Sequence, residues 1–295
     1  MTKQIDPRGC FLVVVNAGEA LPAAFKLFAT SAEQKAIIRV AGGCKGFTPE
    51  ASAAMMPFFL GGFAEKEQNA AGKIIRQYKG VVFSGGTANA DDDGNLANDM
   101  VTNVPAVLAD AYGVVAMSTT PRTADLALEK KHGGLVVGDT VGTRLDYRQT
   151  AAAIIQVNAS QQMDWDGDVP VYFDFMGDLK DAGYNTAVIT LNGGDITRDE
   201  IYGALKRGIP VIAVEGSLRE TDAFIKAFRD GDWTDTASEK RAKLVKANKD
   251  TKVCDDIVAD CQAVLAGIDK SLVSIVKLTD PASLLAVMAQ RGLLV

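Results

Sequence analysis

Four apolar runs in this chain break abruptly into glycine. Ala36-Ile37-Ile38-Arg39-Val40 runs into Ala41-Gly42-Gly43, and Val81-Val82-Phe83-Ser84 into Gly85-Gly86-Thr87. Ala187-Val188-Ile189-Thr190-Leu191 runs into Asn192-Gly193-Gly194, and Val211-Ile212-Ala213-Val214 into Glu215-Gly216-Ser217. A short apolar run bounded by turn residues is a buried strand, and the glycine loop after it can turn backbone N–H groups toward an anion. In a parallel sheet all four loops share the carboxyl edge, where open α/β sheets bind ligands. The chemistry expected there is capture of a phosphate-bearing, nucleotide-like small molecule.

Each candidate has a plainer alternative. Gly85, Gly86 and Thr87, following Ser84, would receive a phosphate through backbone N–H groups and a hydroxyl; otherwise they form a tight turn. Gly42, Gly43 and Lys45 would make a second wall, with Lys45 supplying charge or simply facing water. Asn192, Gly193 and Gly194 form the loop after the third run. After the fourth, Gly216 and Ser217 lead to Arg219, whose planar fork matches phosphate oxygens; the alternative is an ion pair with Asp222 or Glu220. Glu215 is the one weak catalytic candidate, accepting from ribose hydroxyls or assisting hydrolysis; otherwise it caps a turn. Asp91-Asp92-Asp93-Gly94-Asn95 lacks the glycine and glutamate spacing of a calcium loop. His132 is the sole histidine, so neither a Ser-His-Asp triad nor a histidine metal cluster can be built, and no metal is expected.

Composition bounds the partners. The chain has 295 residues, 47% of them hydrophobic, and a formal net charge of -6. That charge argues against nucleic acid or an anionic membrane surface as the main partner. The longest apolar stretch, Ala51 to Ala64, is broken by Pro57, Gly61 and Gly62 and is too short to insert in a membrane. Cys10, Cys44, Cys254 and Cys261 form no CxxC pair; Cys254 and Cys261 share one helix face and read as small buried thiols. Reduced thiols and a cytoplasmic location are expected. A homo-oligomer is compatible with the sequence.

The elements that must position these residues alternate between strand and helix. The first ten residues read as polar and loose, Phe11 to Val15 as a strand, and Pro22 to Phe28 as a helix. Thr48-Pro49-Glu50 starts a helix running toward Tyr78 with a kink at Gly61-Gly62. Asn103 to Tyr112 is helical, and Gly113 to Met117 and Gly134 to Val137 are strands. Asp146 to Gln156 reads as helix and Val169 to Phe173 as strand, with a turn from Met176 to Gly183. Thr197-Arg198-Asp199-Glu200 has the spacing of a capping box. Helix is expected over Thr221 to Phe228, in a solvated segment at 234–256, and over Asp256 to Ile268 and Ala282 to Gln290; Leu272 to Val276 is a strand. This alternation implies an α/β fold with a mostly parallel sheet, and no Gly/Ser/Pro linker divides the chain.

The order of these motifs resembles the SLOG superfamily, in particular the branch found at the cytoplasmic N-terminus of melastatin-type TRP channels and in stand-alone prokaryotic relatives, the LSDAT group. The resemblance is carried by Ile37 to Gly43 with Lys45-Gly46-Phe47, by Val81 to Thr87, by His132 to Val137, by Val169-Pro170-Val171, and by Asn192-Gly193-Gly194. Gly208 to Ser217 with Arg219 and Asp222, and Ser271 to Val276, complete it. Leu218 stands where the family pattern has a glycine. The resemblance implies a Rossmann-like domain over 36–295 with helices on both faces of the sheet, including the helical insert at 234–256. A strand/helix extension at 1–35 would pack on it as one structural unit. It also implies binding or sensing of a nucleotide-derived ligand such as ADP-ribose or an NAD-like molecule. No cofactor beyond such a ligand is implied. A hydrolase acting on such a ligand, and an assembly protein with a vestigial site, are the alternatives. The Pro-Gly-Gly-x-Gly-Thr signature of the phosphoribohydrolase branch is absent.

Overall fold

The computed structural model describes residues 2–5, 11–16, 33–43, 46–67, 72–85, 101–121, 153–158 and 169–295. The strands are β1 (Thr2–Ile5), β2 (Phe11–Asn16), β3 (Ala36–Gly42), β4 (Ala64–Lys66), β5 (Ile74–Gln77), β6 (Val81–Gly85), β7 (Val115–Pro121), β8 (Ala153–Asn158), β9 (Asn185–Leu191), β10 (Val211–Glu215) and β11 (Val273–Lys277). The helices are α1 (Pro49–Gly62), α2 (Val104–Tyr112), α3 (Val169–Asp181), α4 (Asp195–Lys206), α5 (Arg219–Asp230), α6 (Ser238–Lys246), α7 (Lys252–Gly267) and α8 (Pro281–Gln290).

Nine strands form one sheet in the order β1-β2-β8-β7-β6-β3-β9-β10-β11. All its neighbours pair parallel except β1 with β2. From β3 the chain builds outward through β6, β7 and β8 on one side, then returns to lay β9, β10 and β11 on the other. The topological switch therefore falls between β3 and β9, which pair from Ala36↔Asn185 to Gly42↔Leu191. This is a Rossmann-like α/β fold.

The central strands are apolar on both faces because both faces are covered. On one face Ile37, Phe83, Val188 and Ala213 pack against α3, α4, α5 and α7. On the other Ile38, Val82, Ile189 and Val214 pack against α1, α2 and α8. Thr48 caps α1 through its Oγ1 on Ala51 N at 3.2 Å, with Pro49 in the first turn.

Several expectations are corrected. The start of the chain forms β1 rather than a loose end. Helix α1 stops at Gly62 instead of running toward Tyr78, and β4 and β5 follow as an antiparallel pair. Gly61 and Gly62 serve close packing: a methyl on them would meet Pro281 at 2.5 Å and Leu284 at 2.3 Å, both in α8. Val169 to Phe173 opens α3, because Val169, Tyr172, Phe173, Met176 and Leu179 bury one helical stripe. The span from Met176 to Gly183, expected as a turn, is mostly the rest of that helix. Residues 153–156, expected as the end of a helix, belong to β8, held between β2 and β7. Thr197 and Glu200 do not cap; they lie buried inside α4, whose N-cap is Gly194. Pro22 to Phe28, Gly134 to Val137, Asp91 to Asn95, His132, Cys10 and Cys44 lie outside the described residues. Cys254 and Cys261 are buried free thiols, and burial pushes Cys261 up to about 11.

Candidate functional site

Strands β3, β6, β9 and β10 run parallel, so their carboxyl ends, at Gly42, Gly85, Leu191 and Glu215, lie on one edge. The β3 and β9 turns touch at the switch point. A methyl on Gly42 would sit 2.3 Å from the Leu191 carbonyl oxygen, and one on Gly43 3.1 Å from Gly193 N and Cα. Gly193 has φ +86, and its added methyl would fall 2.0 Å from Thr197 Oγ1, so only glycine fits there. Asn192 is fully buried with φ 56. Its Oδ1 accepts from Gly193 N at 2.5 Å and Arg219 Nη1 at 3.3 Å. Its Nδ2 has no hydrogen-bond partner among the described residues.

The β10 turn closes on itself. Asp222 accepts from Gly216 N at 3.0 Å and Leu218 N at 2.8 Å. Ser217 Oγ donates to Val214 O at 2.6 Å and accepts from Asn192 N at 2.8 Å, a buried strut between the ends of β9 and β10. The first N–H groups of α5 are also taken, Glu220 N by Gly193 O and Thr221 N by Asn192 O, each at 3.2 Å. By contrast, the N-cap of α4 is Gly194, which has no side chain to cap with. Its first turn follows directly on the β9 turn, and the N–H groups of a helix's first turn point out of that end of the helix.

Arg219 lies in that crevice. A methyl on Gly43 would come 3.0 Å from its Nη1, one on Gly194 3.0 Å from its Nη2, and one on Gly46 3.0 Å from its Cδ. The glycines of the β3 and β9 turns thus leave the room that the guanidinium fills. Its ion-pair partner is Glu239 of α6, rather than Asp222 or Glu220: Nε to Oε1 at 2.5 Å and Nη2 to Oε2 at 2.6 Å. The Arg219 hydrogen bond holds the Glu239 carboxyl below its ordinary range. Beside this pair a cleft of about 270 Å³ is lined by Leu218, Arg219, Glu220, Asp222, Lys226 and Glu239, among others.

Glu220, in the first turn of α5, is buried. Burial pushes its carboxyl up to about 7, against the opposing effect of Arg198, whose guanidinium lies 3.6 Å away. Glu215 is bound by Arg229 at 2.6 Å, which lowers its pKa. A carboxylate so held is a weak general base.

On the β6 side, Ser84 Oγ donates to Thr102 O at 3.1 Å and is fully buried. Among the described residues, the nearest atom to a methyl on Gly85 would be Arg39 Nη2 at 3.7 Å. Arg39 is buried, stacked 4.5 Å from the Tyr172 ring centroid and 5.1 Å from that of Phe83. It donates to Glu200 Oε1 from Nη2 at 2.6 Å, and the Tyr172 hydroxyl donates to the same oxygen at 2.5 Å. Lys45, Gly86 and Thr87 lie outside the described residues. The structure thus brings together Gly42, Gly43, Asn192, Gly193, Gly194, Ser217 and Arg219. Glu215 and Gly216 lie on the same edge, at the end of β10.

Sequence reasoning missed Glu239 and the Arg39–Glu200 pair, and named Glu220 only as a partner for Arg219. Arg39 did carry a signal, because a charged residue inside a buried apolar run requires a partner. Glu239 carried none, since it sits in a polar segment with no local mark of its contact.

The fold is that of an α/β protein whose β3 and β9 turns meet at the topological switch point. The family model described as SLOG in TRPM, prokaryote, matches residues 35–256, and the chain belongs to that family. Among solved structures, TM1055, a structural-genomics target, is 15% identical over 86% of this chain and 99% of its own, with a TM-score of 0.42. The molybdenum cofactor carrier protein from Chlamydomonas reinhardtii is 16% identical over 88% of this chain and 99% of its own, with a TM-score of 0.40. No curated protein matches. Among the described residues no helix is long and apolar enough to cross a membrane, and no group of His, Cys, Asp and Glu is arranged to hold a metal.

Proposed function

We propose that this chain binds a nucleotide-derived small molecule of the ADP-ribose or NAD-like type, with its phosphates in the crevice between β3 and β9. The observation that carries this reading is the seat of Arg219. Its guanidinium lies against Gly43, Gly46 and Gly194 at the switch point, beside the start of α4, whose N-cap is Gly194. A planar fork and a row of backbone donors together suit phosphate oxygens. Gly42, Gly43 and Gly194 allow close approach, while Ser217, Gly193 and Asn192 hold the walls. Binding is favoured over hydrolysis, because Glu215 is tied to Arg229 and its carboxyl is held acidic.

Thermal denaturation with ADP-ribose, NAD and AMP tests this. A ligand at about a hundred times its dissociation constant should add roughly 2.7 kcal/mol of apparent stability, and Arg219→Gln should remove that gain while the protein remains folded. No stabilisation by any of the three ligands, or a gain that survives Arg219→Gln, refutes the reading. Release of products over many turnovers, lost in Glu215→Gln, would establish a hydrolase instead.

A further inference from the structure

We propose that Glu239 is the selectivity residue of this crevice: its carboxylate fills the fork of Arg219 from within the chain, so that only an anion stronger than a carboxylate, a phosphate or diphosphate group, gains the seat, and in taking it frees helix α6. The proposal rests on the function proposed above and adds to it the residue that guards entry.

Both oxygens of Glu239 engage Arg219, on Nε and Nη2, which is the bidentate face a phosphate would use. The carboxylate also reaches the start of α4, where Oε2 lies 3.9 Å from the methyl position of Gly194. It therefore occupies the place where the guanidinium and the open helix terminus converge. A phosphate brings more charge and three acceptor oxygens to the same donors, and competes on better terms than a monoanionic carboxylate.

Helix α6 is built to let go. None of its nine residues is buried, and its sequence is polar on nearly every face, so no apolar stripe docks it. The contacts around it are polar: Glu239 on Arg219, Ala237 N on Glu220 Oε1 at 3.0 Å, Arg241 on Asp255 at 2.7 Å, and Lys226 on Asp235 just before it. The segment entering it is anchored, with Thr236 and Ala237 buried, and Ala237 adopts φ 56, so release would pivot at that point. Exchanging a carboxylate for a phosphate keeps the half-buried Arg219 paired throughout, while the released Glu239 carboxylate, already partly exposed, passes to water.

The test titrates wild type, Glu239→Gln, Glu239→Ser and Arg219→Gln with ADP-ribose and with inorganic pyrophosphate by calorimetry. Amide hydrogen exchange over 238–246 is followed with and without each probe. Glu239→Gln and Glu239→Ser should bind ADP-ribose at least tenfold more tightly than wild type. Their α6 amides should exchange fast without ligand, and wild-type α6 should speed up when ADP-ribose is added. If wild type binds, Arg219→Gln does not, and neither Glu239 variant gains affinity, this inference falls and the function proposed above stands. If none of the proteins binds either probe, or if binding ignores Arg219, both fall.

Discussion

Leu218 occupies a conformation that side chains avoid. It sits at φ 77, ψ 176 immediately before α5, a region reached almost only by glycine, and a side chain held there costs about 1–3 kcal/mol. The position is tied down from both sides, since Leu218 N donates to Asp222 Oδ2 at 2.8 Å and Arg219 follows with φ 56. The revealing comparison is between Leu218→Ala and Leu218→Gly. Both remove the half-buried side chain, but only glycine removes the Cβ. At an ordinary position alanine exceeds glycine by about 0.5–1 kcal/mol, through chain entropy. Here relief of the strained backbone outweighs that term, and the glycine variant should be the more stable by about 1 kcal/mol. Urea denaturation of both variants at one pH reads the difference directly from midpoints at a shared slope. An alanine variant as stable as the glycine variant, or more so, would refute the strain argument and with it the account of why the related pattern carries glycine at this place.

Glu220 should make stability fall with rising pH across a defined window. Its folded carboxyl titrates at about 7 against an ordinary 4.5, so between those values the folded chain keeps a proton that the unfolded chain has released. Stability is therefore lost as pH rises through the window, on the order of 3 kcal/mol in full. Glu220→Gln should flatten that fall in denaturation curves at pH 5 and pH 8, and parallel profiles for the two proteins would sink the idea. Gly193→Ala, with its left-handed φ and a methyl 2.0 Å from Thr197 Oγ1, should cost about 2–4 kcal/mol in urea denaturation. A loss under about 1 kcal/mol would show that the β9 turn can move aside.

The parallel core was legible because each of its strands is a short apolar run that ends at glycine. β3, β6, β9 and β10 begin and end within two residues of their expected limits for that reason. β8 was not legible: Ile154 and Ile155 continue an alanine-rich stretch, and only pairing with β2 and β7 decides for strand. α3 was misread because Val169 to Phe173 alone suits a strand, and the helical stripe emerges only when Met176 and Leu179 are counted with it. Thr197 and Glu200 had the spacing of a cap, but tertiary partners claimed both side chains, Thr197 beneath Gly193 and Glu200 on Arg39. Within the site, Arg219 was visible from its place after a strand. Its partner was not, since Glu239 reaches it from a polar helix 20 residues further along the chain.

The seam between β3 and β9 also bears on how the molecule assembles. Residues distant in the chain pair along it in a seven-residue register, whereas β9 with β10, and β10 with β11, pair across shorter separations in sequence. Contacts that close a long loop are entropically costly and form slowly. The half built on β9 is therefore expected to condense first, with its docking onto β3 the costly late step. The crevice lies across that junction, with Gly43 from one half and Gly194 and Arg219 from the other. A molecule bound there crosslinks two separately nucleated parts of the sheet, so occupancy should slow unfolding far more than it speeds folding.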